Sequence, residues 1–422
     1  MKNKKNILFI IIILLFCSST IYLLNENHSL KESSNDYENN KVIKNKNMLS
    51  MMLETEANSG NYEMTSRSEW PKEGYVFNSE LSKCERGSEL SWDDTNKRVV
   101  MSGNVSDKCY VYFDIYVAPA LADYVKSLYT GTQGKNSIYY HDSSLTNGAG
   151  DNSYRFAGAS DAVNNYVCFG STQSPCPADN LYRIIGVFGD QVKLIKYDYA
   201  NSNLLGTDGD YSTDTYSKSD YSTYKGELTT INRYYWNSST SKNTWSESNL
   251  NKVNLNKNFI NNIRSEWAAK IAKTTWKVGG SISDNIREAV PSVAYQNEIV
   301  NPVTTNSQDN ATDYSAKIGL MYASDYGFAA APSAWTTILW YYGGNAVKSV
   351  NWMYLGSEEW TISRLADNSY YAFYVNSSDF GKNNFEFYNV GYAFAVRPVF
   401  NLKSSVTYIE GDGTKDSPIR IN

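Results

Sequence analysis

The chain has few of the side chains that most enzymes use for acid–base and nucleophilic chemistry. Histidine occurs only twice in 422 residues, at His28 and His141. The sequence contains no G-x-S-x-G, H-E-x-x-H or P-loop motif. His141 stands in a stretch rich in glycine, serine and asparagine, where a lone histidine is typically exposed and inert. We therefore predict a protein that has no catalytic residues and is not an enzyme.

Cysteine is also scarce, and its placement excludes the common zinc motifs. Cys17 lies in an apolar run, and the other four cysteines form two local pairs. Neither spacing matches a CxxC site, so we expect no metal and no cofactor. An even number of cysteines in an exported segment predicts two disulfides, Cys84–Cys109 and Cys168–Cys176, with free thiols as the alternative.

Basic clusters are missing beyond the first residues, and the net charge is −5. Nucleic-acid binding requires clustered lysine and arginine, so we expect no nucleic-acid partner. The abundant residue is tyrosine, with 35 copies set among asparagine, serine, threonine and glycine. This mixture favours strands joined by polar loops. It is also typical of recognition surfaces, and composition leaves both interpretations open.

The N-terminus carries the only long apolar run. Ile7 to Leu24 is free of charged residues and follows three lysines, which predicts a membrane-spanning helix with its N-terminus inside the cell. A cleaved signal peptide is the first alternative, although Ser18-Ser19-Thr20 only partly matches a cleavage site. A lipoprotein is the second, although Phe16 precedes Cys17. We predict a retained anchor at residues 1–24, single-pass in the cell membrane, with the bulk of the chain outside.

Two segments of different character follow the anchor. Residues 25–53 form a polar spacer, in which Met48–Leu53 is an apolar patch with the length of one helical turn. Residues 54–117 alternate apolar and polar side chains around the turn signal "DDTNK", and Tyr110–Ile115 is a further strand. We predict a small antiparallel β module, in which Cys84–Cys109 ties the first strand to the last.

The remaining residues, 118–422, form one large domain. Ala118–Tyr129 has the apolar spacing of a helix. Leu181–Val187 and Val192–Tyr197 read as a hairpin, whereas the low-complexity residues 201–243 read as a long surface loop.

A second helix is predicted near Val253–Lys273, because apolar residues line one face at helical spacing. Short strand-like segments separated by polar loops complete the chain. We therefore expect a β-rich α+β protein.

The order of segments in the large domain resembles a known family. The segments "YRIIGVFGDQVKLI", "TWSESNLNKVNLNKNFINNI", "KIGLMYASDY", "WTISR" and "VRPVFNL" occur in this order between Leu181 and Leu402. They are similar to uncharacterised domains on surface and phage-associated proteins of Gram-positive bacteria, which carry a tryptophan-rich segment and end in G-V-R-P. Here the ending reads "YAFAVRP", and the tryptophan segment lacks the family's proline.

This resemblance implies a C-type-lectin-like fold, which is shared with formylglycine-generating enzymes. Those enzymes use a cysteine pair near the end of the fold, and here no cysteine follows Cys176. The resemblance therefore implies no copper-thiol chemistry, and the family supplies no established activity.

Several acidic groups have side chains of the kind that metal sites and glycosidase sites use. Asp208, Asp210 and Asp214 carry oxygen ligands that suit calcium, but they do not match an EF-hand, and exposed loop acids are the alternative. Acids also flank the "WTISR" segment, where paired carboxylates would suit glycoside cleavage and a solvated charge pair is the alternative. They are Glu358, Glu359 and Asp367.

Two arginines and one tryptophan are predicted to be structural. Arg364 and Arg397 lie in apolar, aromatic segments, where a guanidinium must be satisfied by carboxylate or carbonyl groups. Trp360 begins the same strand-like segment as Arg364. We expect all three to hold the C-terminal strands together.

The aromatic stretch between Trp340 and Tyr388 supplies the candidate ligand contacts. Its aromatic residues are interspersed with glycine, asparagine and serine, and about half should face solvent if the segments are strands. Exposed aromatic rings stack on sugars and anchor protein partners. The candidates are Tyr341, Tyr342, Tyr371, Tyr374 and Tyr388.

These observations predict a membrane-anchored extracellular recognition protein that binds a glycan or a surface protein without catalysis. A structural or assembly component of the cell envelope or of a surface appendage is the alternative. An uncharacterised hydrolase is the third possibility.

Overall fold

The computed structural model describes most of the chain outside its N-terminal segment. The described residues are 49–104, 106–217, 230–303, 311–343, 345–376 and 385–422. The predicted anchor at residues 1–24 lies outside them. Within the described part, no helix combines the length and apolar character needed to cross a bilayer. The chain divides into two compact units, with the boundary between Val117 and Ala118.

The N-terminal unit is built from short strands around a small core. Its main sheet has the strand order β2-β1-β6-β3, and β4 pairs with β5 as a hairpin across the predicted turn. The core joins Met51, Leu53, Trp70, Val111 and Phe113. The strands are β1 (Leu49–Glu54), β2 (Tyr62–Met64), β3 (Tyr75–Cys84), β4 (Glu89–Asp93), β5 (Arg98–Ser102) and β6 (Cys109–Ile115).

The first strand corrects two expectations. Leu49–Glu54 pairs parallel to β6, so the apolar patch is a strand of this unit and not a helical turn in the spacer. The sheet is consequently mixed and not wholly antiparallel. The physical reason is the alternation of the patch, which turns Met51 and Leu53 into the core. The Glu54 carboxylate then accepts the Ile115 backbone N–H at 2.9 Å and fixes the end of β6.

Both predicted disulfides are present. Cys84–Cys109 joins residues that lie directly opposite each other in β3 and β6. It therefore links neighbouring strands, and not the first strand to the last. Cys168–Cys176 closes a short loop after β9 in the large unit.

The large unit is organised around one sheet. Its strand order is β16-β21-β11-β10-β8-β7, with β9 also paired to β10. The predicted hairpin is confirmed as β10 and β11. The strands of this unit are β7 (Ile138–His141), β8 (Ser153–Phe156), β9 (Tyr166–Cys168), β10 (Leu181–Phe188), β11 (Gln191–Lys196), β12 (Tyr211–Ser217), β13 (Thr230–Tyr235), β14 (Thr274–Lys277), β15 (Asp313–Ala316), β16 (Ile318–Gly319), β17 (Glu359–Arg364), β18 (Tyr371–Val375), β19 (Phe385–Asn389), β20 (Ala393–Phe394), β21 (Val399–Asn401), β22 (Tyr408–Glu410) and β23 (Arg420–Ile421).

Smaller sheets surround this central sheet. They are β12-β13-β20, β14-β15, β17-β18-β19 and β22-β23. One large hydrophobic core joins the central sheet to the elements around it, with Ile184, Leu194, Trp360, Phe373 and Phe400 all buried within it. The protein is thus β-rich, with short helices between antiparallel sheets.

The helices are short. The predicted helix at Ala118–Tyr129 is confirmed as Leu121–Ser127, which buries Leu121 and Val125. The other α-helices are Ser202–Leu205, Ile260–Asn262, Ser265–Ala268, Ser283–Ile286, Pro291–Tyr295, Ala323–Phe328 and Asn345–Lys348. Wider π-helical turns span Leu250–Phe259 and Gln296–Val300, and 3-10 turns span Lys135–Ser137, Ala178–Asn180, Pro332–Ala334 and Leu339–Gly343.

The continuous helix predicted near Val253–Lys273 is wrong. The segment begins as the π-helix Leu250–Phe259 and breaks at Ile263, whose backbone is extended. Asparagine side chains account for the irregular start, since they bond to other parts of the chain. Asn254 Nδ2 donates to the carbonyl of Leu205 at 2.9 Å, and Asn256 Nδ2 donates to that of Ile318 at 3.0 Å.

The surface loop predicted at residues 201–243 is also corrected. Strands β12 and β13 pair within it, and β13 also pairs with β20. Asp210 is fully buried there, and its carboxylate accepts the Leu250 backbone N–H at 2.9 Å. Its other oxygen accepts from Ser238. Asp210 is thus satisfied by the protein's own donors.

Candidate functional site

Three of the five candidate tyrosines lie on the antiparallel sheet of β17, β18 and β19. Tyr371 and Tyr374 belong to β18, and Tyr388 belongs to β19. Side chains alternate between the two faces of a strand, and directly opposite residues share a face. Tyr371 therefore shares a face with Phe387, whereas Tyr374 and Tyr388 lie on the other face.

Two of the five candidates are buried, which corrects their prediction as surface contacts. Tyr342 is fully buried in the turn Leu339–Gly343, and its hydroxyl lies 3.2 Å from the carbonyl oxygens of Gly327 and Ala334. Tyr374 is also buried, with its ring stacked on Phe394 at 4.6 Å. Burial raises the pKa of both phenols.

Tyr388 and Tyr392 form an exposed pair of rings, here called the tyrosine pair. The two side chains are 40% and 55% exposed. Their centroids are 4.6 Å apart and their planes meet at 85°, so ring surface is presented in two nearly perpendicular directions. The buried rings of Phe394 and Tyr374 lie 5.9 and 6.0 Å from Tyr388 and support it from beneath. The pair is therefore a small aromatic surface on a rigid base.

The Tyr388 hydroxyl of the tyrosine pair is neutral at ordinary pH. Tyr392 raises the pKa of Tyr388 through its nearby phenol, so the Tyr388 hydroxyl keeps its proton. A neutral phenol both donates and accepts hydrogen bonds. The pair thus offers ring faces together with polar tips.

Sequence reasoning missed Tyr392, because it lies just beyond the aromatic stretch between Trp340 and Tyr388. A tight turn follows β19, in which the Tyr392 backbone N–H donates to the Asn389 carbonyl at 2.9 Å. This turn brings the Tyr392 ring against the Tyr388 ring. The Val390-Gly391 step was the available signal, since glycine after a strand favours a turn.

A second aromatic group lies around Arg287. Trp340 and Tyr341 stack in parallel with centroids 5.7 Å apart, and Tyr341 is 46% exposed. The Arg287 guanidinium lies 4.5 Å from the Trp340 ring and 5.2 Å from the Phe387 ring. Glu386 fixes Arg287 through an ion pair of 2.9 Å. Tyr341 is therefore held on an ordered support.

Phe387 connects this group to the third remaining candidate. Its ring centroid lies 5.5 Å from that of Tyr371, which is half-buried. Tyr371 thus lies on the Phe387 face of β19, and Tyr388 lies on the other face. Residues 377–384 of the aromatic stretch, which include Phe380, lie outside the described residues.

The residues predicted to be structural are buried. The Trp360 indole N–H donates to the Tyr234 carbonyl at 3.0 Å, and Arg364 Nε donates to the Val278 carbonyl at 3.0 Å. Burial lowers the pKa of Arg364 to about 10. Arg397 pairs with Glu359, so this carboxylate is committed inside the protein and is not part of a solvated charge pair.

The acidic candidates do not converge. Asp208, Asp214 and Asp367 are exposed, whereas Asp210 and Glu359 are buried and occupied by protein donors. Across the described residues there is no group of three or more histidine, cysteine or acidic side chains that would hold a metal ion.

The prediction for His141 is wrong, because its side chain is fully buried. Its ring packs edge-to-face on Phe328 at 4.9 Å and lies 5.1 Å from Trp335. Nδ1 accepts the Ala149 backbone N–H at 3.1 Å, whereas Nε2 has no hydrogen-bond partner among the described residues. Burial, with a further contribution from the nearby Arg155 charge, lowers the pKa of His141 to about 3.

Buried charges surround this histidine. Arg155 pairs with Asp151 at 2.6 Å, and its Nη1 lies 3.7 Å from Asp325 Oδ1. Lys193 forms an ion pair with the other oxygen of Asp325. These groups connect β8, β11 and the helix Ala323–Phe328 beneath the central sheet. These charged groups contact one another inside the protein, so we assign them a structural role.

Comparison with known proteins identifies no relative. No protein-family model, curated protein or solved structure matches the chain.

Proposed function

We propose that the chain is a membrane-anchored extracellular recognition protein without catalytic activity, and that it binds its ligand through the tyrosine pair. The observation that carries this proposal is the exposure of two adjacent rings above a buried aromatic base. Rigid aromatic side chains contribute contact area at low entropic cost. Recognition residues also tend to lie on loops and turns held by a rigid scaffold, as Tyr392 does.

A glycan suits this surface better than a protein partner does. A stable protein interface buries about 800 Å² on each partner, which two rings alone do not supply. Sugar rings stack on aromatic faces and form hydrogen bonds with phenol hydroxyls, and the tyrosine pair offers both groups.

In this proposal, Ile7–Leu24 anchors the chain in the cell membrane and residues 49–422 lie outside. The lysines before the apolar run support that orientation. Two disulfides support an oxidising compartment. The large unit is C-type-lectin-like in this proposal, which rests on the order of its sequence segments and on its β-rich architecture.

A glycan array probed with the full chain tests the proposal. We expect binding to a restricted set of glycans, and we expect the double variant Tyr388→Ala/Tyr392→Ala to lose it, because one good aromatic anchor contributes about 2 kcal/mol. Tyr116→Ala is the matched control, since Tyr116 is 49% exposed in the N-terminal unit.

Three outcomes are informative. If the double variant binds glycans as well as the unaltered protein does, the tyrosine pair is not the binding site. If the chain binds an envelope protein but no glycan, its ligand is a protein. Self-association of the chain into filaments, without ligand capture, would favour the structural alternative.

A further inference from the structure

A small pocket with a mixed polar and apolar lining lies apart from the tyrosine pair, beside the end of β11. Its volume is about 230 Å³, below the range of about 300–1,000 Å³ typical of drug-sized sites. It therefore suits a ligand of monosaccharide or amino-acid size. Nitrogen-bearing side chains contribute much of its lining, namely Asn180, Lys196, Asn201, Asn203, Asn262 and Arg264.

Lys196 is the unusual member of this lining. It is the last residue of β11, and its side chain is only 2% exposed. Its ammonium group forms no hydrogen bond or ion pair with any of the described residues. The nearest aromatic contact is the Tyr182 ring, 5.9 Å from Nζ. Buried charges in proteins are normally paired or coordinated, so an unpaired ammonium facing a pocket indicates a missing partner.

The neighbouring carboxylates do not supply that partner. Asp179 and Asp198 act on Lys196 through space only, while burial lowers the pKa of its ammonium. The buried Asp198 carboxylate accepts the Tyr199 backbone N–H at 2.7 Å. Asp179 itself lines the pocket. The Lys196 ammonium thus lies near two carboxylates but has no hydrogen-bond acceptor among the described residues.

The rim adds donors from exposed residues. Arg264 has a side chain that is 58% exposed, and it pairs with Glu266 at 3.1 Å. Asn203 is exposed on the helix Ser202–Leu205. Asn201 caps that helix with its amide oxygen, at 3.1 Å from the Leu204 N–H. Its amide nitrogen stays available as a donor, because capping uses only the oxygen.

We propose that this pocket binds a small carboxylate, with the ligand's carboxylate oxygens paired to Lys196 Nζ and its remaining atoms held by the asparagine amides and Arg264 at the rim. A carboxylate fits better than a phosphate, because the oxygens of a carboxylate accept the unused hydrogen bonds of the ammonium while carrying a single negative charge. A dianion would be repelled more strongly by the Asp179 and Asp198 carboxylates near Lys196.

A carboxylate of this size has two natural sources, an acidic sugar and the end of a peptide. D-glucuronate represents the first, and N-acetyl-D-alanine represents the second. D-glucose and N-acetyl-D-alanine methylamide are their neutral counterparts. We expect calorimetric titration of the full chain in detergent to detect one carboxylate at a dissociation constant of about 1 mM or tighter. The neutral counterpart should bind at least about tenfold more weakly.

Lys196→Met tests the assignment, because methionine has a similar length and lacks the charge. We expect this variant to weaken carboxylate binding by at least about tenfold and to melt no lower than the unaltered protein, since it removes an unpaired buried charge. Lys403→Met is the matched control, because Lys403 is exposed and lies outside the pocket.

If Lys196→Met does not fold, a variant at the rim of the pocket tests whether the pocket binds a carboxylate. Asn203→Asp introduces a negative charge at an exposed position and should weaken carboxylate binding while leaving weak binding of the neutral counterpart unchanged. Failure of both carboxylates to bind, equal binding of acid and neutral forms, or full affinity in Lys196→Met would each overturn the proposal. The titrations are repeated with the double variant Tyr388→Ala/Tyr392→Ala, so that sugar binding at the tyrosine pair is distinguished from binding in the pocket.

Discussion

Arg397 holds Glu359 through two parallel hydrogen bonds, from Nε to Oε1 at 2.7 Å and from Nη2 to Oε2 at 2.8 Å. Both side chains are almost fully buried. Nη2 also donates to the Met353 carbonyl at 2.7 Å. The pair therefore fastens β17, at the base of the tyrosine-bearing sheet, to the segment that leads into β21.

Removing one partner of this pair should be costly. We expect Glu359→Ala to lower the free energy of unfolding by about 3–5 kcal/mol, because it leaves the Arg397 charge buried and uncompensated. Urea unfolding monitored by tryptophan fluorescence measures the change. The double variant Glu359→Leu/Arg397→Met should recover much of the loss. A single variant within about 0.5 kcal/mol of the unaltered protein would show that the pair contributes little.

Truncation of Trp360 should lower the stability of the protein far more than truncation of Tyr388. Trp360 is fully buried against Phe394 at 4.5 Å, so Trp360→Ala should lower the free energy of unfolding by about 3–5 kcal/mol. Tyr388→Ala should change it by about 0.5 kcal/mol or less, since its ring is largely exposed. Thermal unfolding of the two variants side by side measures the contrast. Equal destabilisation would mean that Tyr388 belongs to the core.

His141 should make the large unit less stable in mild acid. The pKa of His141 is about 3 in the folded protein, whereas an unfolded histidine titrates near about 6.5. The unfolded chain therefore binds the proton first. Its contribution to stability is complete above about pH 6.5 and is lost as the pH falls toward 3, at up to about 1.4 kcal/mol per pH unit.

His141→Asn is the matched control for this pH dependence, because its amide oxygen can replace Nδ1 as the acceptor for Ala149. Between pH 6.5 and pH 5 we expect the unaltered protein to lose about 1–2 kcal/mol more than the variant in urea unfolding. Asp151, whose pKa is about 2 despite burial because Arg155 and Ser153 favour its charged form, contributes only at lower pH. Parallel curves for the two proteins would contradict a buried, neutral His141.

The Cys84–Cys109 disulfide should stabilise the N-terminal unit selectively. Replacing both cysteines by alanine should cost that unit about 2–4 kcal/mol, because the bond closes a loop with a sequence separation of 25 residues. Hydrogen exchange followed by mass spectrometry reports protection in each unit separately. We expect faster exchange in β3 and β6 and unchanged exchange in β10 and β11. Uniform loss across both units would argue against a local role.

Local patterns were sufficient to predict the hairpins and the disulfide pairs. The β10–β11 hairpin joins two apolar runs across a glycine-containing turn, and both signals lie within a few residues. The partner cysteines are close in sequence, and the compartment proposed for them, outside the cell, favours their oxidation. These features depend little on the rest of the fold.

The predictions that were wrong concern features that depend on long-range contacts. His141 has polar neighbours in sequence, but Phe328 and Trp335 bury it from a distant segment. Tyr374 and Tyr388 share one face of their sheet, and Phe394 from a later segment packs against the Tyr374 ring, which alternation along a strand does not predict. The π-helix at Leu250–Phe259 likewise depends on asparagine partners elsewhere in the chain.

The position of β21 in the central sheet has a consequence for biosynthesis. Val399–Asn401 pairs with β11 on one side and with β16 on the other, although β11 is made far earlier. Until the ribosome has added those residues, the edge of β11 is open to other strands, which favours aggregation. The nascent large unit thus needs protection through most of its synthesis, whereas strands β1 to β6 are complete early and can pair at once.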